Sequence, residues 1–289
     1  MLIQTQIDSY REQGYLVVDN VLPDDIVAEL RRVTEDFVEQ SRAFSEHTDI
    51  FDLEPGHTAE EPRLRRLKNP VQQHAVYDQA WRHPAVLDIV EQLVGPGVRA
   101  NNNKLNIKSP DHGSAVEWHQ DWAFYPHTND DVLAVGIAMD DMTMENGCLL
   151  VVPESHKGPI YSHHEKGRFV GAITEDASGT ENPVPVEIKA GGISIHHART
   201  LHASAPNRSQ RPRRLLLFEY CALDAWPLLG AMSLTDWKHY LDSILRGTPC
   251  NRPRLESVPV ELPLPPPERI GSIYEMQTLA QKKPMAQTR

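Results

Sequence analysis

The chain has 289 residues, 40% of them hydrophobic, and its 29 Lys and Arg stand against 40 Asp and Glu for a net charge of −11. A chain of this length buries roughly three quarters of its surface, so a substantial core is expected, while the acidic balance disfavours nucleic acid or an anionic membrane as partner. The excess acid sits in residues 1–60, with 14 acids against 4 bases; the other 26 acids and 25 bases nearly cancel.

Residues 4–13 predict a short helix stopped by Gly14, followed by the apolar strand Tyr15-Leu16-Val17-Val18. Asp24 and Asp25, after Pro23, open a second helix whose Ile26, Val27, Leu30, Val33, Phe37 and Val38 recur at helical spacing. Residues 43–75 are polar and punctuated by Pro55, Pro62 and Pro70, so a loop is expected, and Pro84 to Val94 reads as another amphipathic helix closed by Gly95. From about 98 the rhythm changes to short strands at 102–108, 116–124, 132–139, 147–152, 184–188, 192–197 and 213–222. Without helical crossovers between them, these predict an antiparallel sandwich or jelly roll. Ser233 to Leu245 returns to helical spacing, and the last 42 residues hold eight prolines, which predicts a tail that wraps the surface or is partly disordered.

No apolar run approaches the roughly 20 residues of a membrane span, and the N-terminus lacks a secretory pattern. Cys148, Cys221 and Cys250 are an odd set without CxxC spacing. A reducing, cytoplasmic setting is expected, with neither a disulfide framework nor a zinc knot.

Fourteen histidines are present, and their pattern matters more than their number. His119-Gln120-Asp121 falls in the strand predicted at 116–124, where residues two apart share a face, so an imidazole and a carboxylate converge. One further histidine on a neighbouring strand completes the two-histidine, one-carboxylate face that holds iron(II) and leaves positions open. A second H-x-D, His47-Thr48-Asp49, lies in the polar loop and reads as solvated surface. For the third ligand His196, His197 and His202 compete. What favours His202 is the turn that follows it and then Arg213, which a hairpin would return beside His202, where an Arg fork takes a carboxylate bidentately and Ser204 adds a hydroxyl.

Trp118-His119-Gln120-Asp121, the stretch Met144-Glu145-Asn146-Gly147 through His156-Lys157-Gly158, and His202-x-Ser204-x-x-Asn207-x-Ser209-x-x-x-Arg213 together resemble the phytanoyl-CoA dioxygenase family. The resemblance runs over roughly residues 5–225 and includes the entry segment Gln13 to Leu22. It implies a mainly β fold with flanking helices, a double-stranded β-helix (jelly roll, cupin-like), in a single domain. Residues 1–95 would be its helical N-terminal part, 96–225 the jelly-roll core and 226–289 a C-terminal extension with the Pro-rich tail.

The resemblance further implies iron(II) as cofactor and 2-oxoglutarate and dioxygen as cosubstrates. His119, Asp121 and His202 match the metal ligands, Arg213 the arginine on the distal carboxylate of 2-oxoglutarate, and Ser204 its hydroxyl partner. Lys104, Asn106 and Lys68 match positions near the cosubstrate. Several relatives carry a tryptophan where Gly136 stands, which predicts a wider pocket here, and Glu154-Ser155 precedes His156 in place of the more usual Gly-Ser or Gly-Thr. His156 and Lys157 belong to a turn, and His197 is expected close to the metal without binding it. Trp122, Tyr125 and Arg199 are candidates for the substrate side, with residues 224–230 as a pocket lip.

The expected activity is oxidation of a C–H bond in a small molecule, with release of succinate and carbon dioxide. A halogenase needs a vacant site where Asp121 stands, and a cupin-type dioxygenase without 2-oxoglutarate leaves Arg213 and Ser204 unexplained. A non-catalytic jelly-roll binding module is the alternative of another class. No basic cluster suited to coenzyme A stands out, so a small polar, zwitterionic or amphipathic substrate is expected over a long acyl-CoA. The sequence does not set the oligomeric state.

Overall fold

The computed structural model describes residues 1–111, 113–229, 236–267 and 271–287. In chain order the elements are α1 (Gln4–Gln13), β1 (Tyr15–Val18), α2 (Asp24–Ser41), β2 (Phe51–Leu53), β3 (Leu64–Lys68), α3 (Pro70–Gln73), α4 (Ala75–Trp81), α5 (Pro84–Val94), β4 (Val98–Lys108), β5 (Val116–His119), β6 (Val132–Ala138) and β7 (Leu149–Val151). There follow β8 (His164–Glu165), β9 (Arg168–Phe169), β10 (Val184–Val186), β11 (Ile193–His197), β12 (His202–Ser204), β13 (Arg213–Ala222), α6 (Trp237–Ser243), β14 (Ile244–Arg246), α7 (Ile273–Gln277) and α8 (Pro284–Gln287).

Two antiparallel sheets make the double-stranded β-helix. The larger runs β1-β11-β6-β13-β4-β3-β2, with β14 also on β4, and the smaller runs β10-β7-β12-β5. Strand alternation divides the larger sheet into two faces. Leu216, Phe218 and Tyr220 of β13, Leu105 and Ile107 of β4, and Val135 and Ile137 of β6 join one core with Leu30 and Val33 of α2 and Val86 and Val90 of α5. Trp81 stacks on Phe218 with ring centroids 5.4 Å apart. Burying each such side chain contributes about 1.5–3 kcal/mol, which fixes the register. The opposite face carries Arg213, Leu215, Leu217 and Glu219, which pair with Lys108, Asn106, Lys104 and Asn102 of β4. That face looks toward the smaller sheet.

Several sequence expectations change. The stretch 43–75, expected as loop, supplies β2 and β3, which extend the larger sheet beyond β4. The strand expected over 116–124 ends at His119, and Asp121–Ala123 is a 3-10 turn closed by the Phe124 N–H to the Asp121 carbonyl. The two strands around the 205–212 turn do not form a hairpin; β12 and β13 lie in opposite sheets. The turn is held instead by Asn207, which donates to the carbonyls of Lys108 and Arg211 and accepts from Ser209. Gly147 packs under it at φ 77°, where a Cβ would stand 2.4 Å from the Ala205 carbonyl oxygen.

The tail is ordered against the body over 271–287, with Ile273, Tyr274, Gln277 and Met285 buried. Of the helix expected over 233–245, Trp237–Ser243 forms, and residues 233–235 lie outside the described residues. Cys148, Cys221 and Cys250 are free thiols, and no helix of the described residues is long and apolar enough to cross a membrane.

Candidate active site

β5 and β12 are neighbours, and their register sets His119 directly opposite His202. The two imidazoles approach with centroids 4.0 Å apart. Each is aimed by its own backbone: Nδ1 of His119 donates to the Glu117 carbonyl (2.8 Å) and Nδ1 of His202 to that of Thr200 (2.9 Å). This tautomer leaves both Nε2 lone pairs free. They lie 3.7 and 3.9 Å from Asp121 Oδ1, which the 3-10 turn, not a shared strand face, swings between them.

Electrostatics suit a cation. Burial pushes His119 down to about 4 and His202 well below its ordinary value, so both are neutral near pH 7. For Asp121, burial would raise the pKa, but Lys104, His196 and His202 outweigh it and hold the carboxyl well below the usual range. The donor atoms of His119, Asp121 and His202 all lie within 4.8 Å of one another. Two neutral imidazoles and one carboxylate are the donor set of a non-haem iron(II) centre, and the residues present fit that ion.

These ligands line a small cavity that extends along the inner face of β13 and β4 in two directions. At one end, Arg213 and Ser204 face each other across the sandwich. Arg213 is buried, its Nε has no hydrogen-bond partner, and none of the ion pairs among the described residues includes it. Arg66 joins it there and makes one hydrogen bond, Nε to Asn106 Oδ1 (2.8 Å). A guanidinium fork beside a hydroxyl, with no acid of its own, is an arrangement that takes a carboxylate.

At the metal end, Lys104 Nζ donates to Glu219 Oε1 (2.8 Å) and lies 3.9 Å from Asp121 Oδ1. Burial foremost, then the Asp121 and Glu219 carboxylates, hold the Tyr125 phenol well above its usual pKa. His196 Nε2 is 3.3 Å from Asp121 Oδ2.

Of the residues singled out in the sequence, His119, Asp121, His202, Arg213, Ser204, Asn106 and Lys104 come together on this cavity, and Tyr125 is buried beside Asp121. Lys68 does not line it; its ammonium is tied to the Thr48 carbonyl (2.8 Å), and Arg66, two residues earlier on the same strand face, occupies the wall. Trp122 is core, with Nε1 donating to the Pro259 carbonyl, and does not line the cavity. Arg199 is spent on Asp130 (2.6 Å) and the Gly158 carbonyl. Residues 224–229 do not line the cavity, and Gly230 lies outside the described residues.

His196, not His197, is the histidine beside the metal set, because alternation on β11 turns His197 outward toward Asp130. Gly136 opens no space either. A Cβ there would stand 2.7 Å from Ser194 Oγ and 2.9 Å from Leu215 Cδ1, since Leu215, Leu217 and Ser194 already fill that region. His47 accepts from the Leu53 N–H and lies beside Asp52 (3.1 Å) and Glu275 (3.6 Å), on the far side of β3 from the cavity wall, and is not part of the metal-ligating group found among the described residues.

Comparison with known proteins decides the family. A family model described as phytanoyl-CoA dioxygenase matches residues 10–215. The chain belongs to the phytanoyl-CoA dioxygenase family. It is 34% identical over 281 residues to a probable alpha-ketoglutarate-dependent hypophosphite dioxygenase of Stutzerimonas stutzeri, covering 95% of this chain and 96% of that one. It is 28% identical to a methylphosphonate hydroxylase of Gimesia maris, over 77% of this chain and 82% of that one. In fold it is similar to iron-bound EctD from S. alaskensis, with a TM-score of 0.66 and 21% identity over 89% and 88% of the two chains. The chain is thus an iron(II)- and 2-oxoglutarate-dependent oxygenase.

Proposed function

We propose that this oxygenase oxidises a small oxyanion, with phosphinates and phosphonates as the favoured class, at a P–H bond or at a C–H bond next to phosphorus. Iron(II), with 2-oxoglutarate and dioxygen, supplies an oxidant that inserts one oxygen atom into such a bond while the other enters succinate and carbon dioxide is released. The observation that carries the reading is Lys104, an ammonium in the cavity wall within reach of both Glu219 and Asp121. The positive charges of iron(II) and Lys104 exceed the negative charges of Asp121 and of the chelating carboxylate of 2-oxoglutarate. Glu219 accepts from Lys104 at 2.8 Å, and burial, which raises its pKa, opposes its charge. In this reading iron(II) and the Lys104 ammonium are the positive charges that draw a small monoanion to the metal end of the cavity.

The relatives support the same class, since the names of two of them state phosphorus oxyanions as substrates. The reading widens the C–H expectation from sequence, since hypophosphite carries hydrogen on phosphorus alone. In this reading Arg213 and Ser204 hold the distal carboxylate of 2-oxoglutarate, Asn106 orients Arg66 beside it, and Lys104 and Tyr125 face the substrate.

The test is substrate-stimulated succinate formation with hypophosphite, phosphite, methylphosphonate, L-proline and phytanoyl-CoA under matched iron and ascorbate. Stimulation by one or more of the phosphorus oxyanions is expected. Stimulation by proline or the acyl-CoA alone overturns the substrate class and leaves the metal site untouched.

A further inference from the structure

The cosubstrate end of the cavity is closed by a segment that the family model, ending at residue 215, does not include. α7 lays Ile273 into the cavity wall, and the neighbouring Tyr274 is 4% exposed. The Tyr274 ring lies under two cations of β3, 4.6 Å from Arg65 Cζ and 5.4 Å from Arg66 Cζ. The tail is stapled to the strand that carries His119. Gln277 accepts from the Glu117 N–H and donates to the Gly171 carbonyl, and the Glu117 carboxylate accepts from the N–H groups of Met285 and Ala286.

One feature of this packing is chemically incomplete. The Tyr274 hydroxyl is buried and has no hydrogen-bond partner, and neither has Arg213 Nε. Arg66 and Ser204 line the cavity with Arg213, and the Asn106 oxygen is already taken by Arg66; Tyr274 stands behind this wall, next to Ile273 and with its ring against Arg66. Donors are gathered here and an acceptor is missing. The ring contact, 5.4 Å from Arg66 Cζ, sets the phenol beside a guanidinium that lines the cavity, and burial raises its pKa against the pull of Arg66 and Arg213. A carboxylate has about four lone-pair directions, more than one arginine fork saturates, so a further hydroxyl donor is of use to it.

We propose that Tyr274 is a cosubstrate-binding residue: its hydroxyl donates to the distal carboxylate of 2-oxoglutarate alongside Arg213 and Ser204, so that the C-terminal segment completes the pocket. The proposal concerns the cosubstrate alone and stands whatever the substrate proves to be.

Tyr274→Phe removes one atom and keeps the ring under Arg65 and Arg66. Anaerobic titration of 2-oxoglutarate into the iron(II)-loaded protein, followed by its visible charge-transfer absorption, should show Kd raised roughly tenfold to a hundredfold, the usual effect of losing a hydrogen bond to a charged group. 2-Oxopentanoate, which carries a methyl where the distal carboxylate would be, should bind the variant and the parent alike. The ligand-free variant should melt at the parent temperature, because the hydroxyl has no partner to lose. Unchanged 2-oxoglutarate affinity overturns the proposal. So does equal weakening of 2-oxopentanoate, or a ligand-free variant that melts several degrees lower, since either would give the hydroxyl a structural part instead.

Discussion

Adjacent arginines on β13 make opposite predictions. Arg213 points into the cavity with no acid beside it, and burial lowers its pKa, which marks the charge as costly in the ligand-free protein. Arg214 points the other way and binds Asp140 through Nε (2.9 Å) and Nη2 (2.8 Å). Replacing Arg213 by Met, which fills similar volume, removes a buried and unpaired charge, so the ligand-free protein should melt at the same temperature or a few degrees higher. The same change removes a charge-assisted pair with the cosubstrate, a loss of about 2–5 kcal/mol, or roughly 30-fold to several thousandfold in 2-oxoglutarate affinity. Arg214→Met should do the reverse: stability falls by about 1.5–3 kcal/mol with the bidentate pair, while cosubstrate affinity holds. Thermal melting of the ligand-free proteins and anaerobic titration of the iron-loaded ones measure both quantities. Equal losses of affinity at the two positions would refute the reasoning, because a diffuse basic patch would then be doing the binding.

Alanine at His119, Asp121 or His202 should abolish tight iron(II) binding, whereas Asp49→Ala should leave it intact; a fluorescence or metal-content assay decides. His196→Ala should weaken iron affinity about 10- to 100-fold through loss of the contact to Asp121 Oδ2, and parent-like affinity would exclude that role. Gly136→Ala should destabilise the fold by about 1–3 kcal/mol, read from denaturant midpoints, because the added methyl meets Ser194 and Leu215. Burial holds the His127 imidazole at about 3 against the ordinary 6.5. As pH falls below 6.5 the unfolded chain takes up a proton that folded His127 refuses, so its contribution to stability is lost on acidification. Relative to His127→Gln, the parent should therefore lose up to about 1.4 kcal/mol per pH unit between pH 6.5 and 4. A difference that stays flat with pH would contradict this.

The core strands are legible as short apolar runs between turn residues, but Leu215–Phe218 is apolar on both sides and does not tell which face looks inward; the pairing of β13 with β4 and β6 shows that Arg213 and Glu219 share the inner face. The metal set was legible in content but not in geometry. Asp121 was assigned to a strand, and the turn that carries it follows from Gln120, whose side chain binds the carbonyls of Pro159 and Arg199 and the Tyr161 N–H. Those partners are 39 to 79 residues away, beyond any local pattern. Arg66 was missed for a similar reason: β3 is short, polar and flanked by prolines, and only its pairing with Asn106 and Lys104 shows which face looks inward. Glu219 offered a signal that went unused, an acid in the middle of an apolar strand, which is a rare and costly placement unless paired.

In and behind the cavity wall several such groups are unsatisfied at once: Arg213 Nε, Glu219 Oε2 and the Tyr274 hydroxyl have no partner, and the Asp121 carboxylate sits among imidazoles that burial keeps neutral. Such groups lower the stability of the ligand-free chain, and bound ligands offer partners to some of them, an oxyanion to Arg213 and a cation to Asp121. Because iron and 2-oxoglutarate bind only where these groups are assembled, occupancy and folding are linked, and the melting temperature should rise with the logarithm of either ligand's concentration above its Kd. The apolar rows Leu215–Leu217 and Ile273 carry the complementary part of the argument: they line the same cavity with surface that makes no hydrogen bonds, so a ligand's polar atoms are steered toward its two ends. A molecule that satisfies one end alone leaves the other unpaired. Under the proposed function, the full set of contacts needs both the cosubstrate at Arg213 and a small anion beside Lys104.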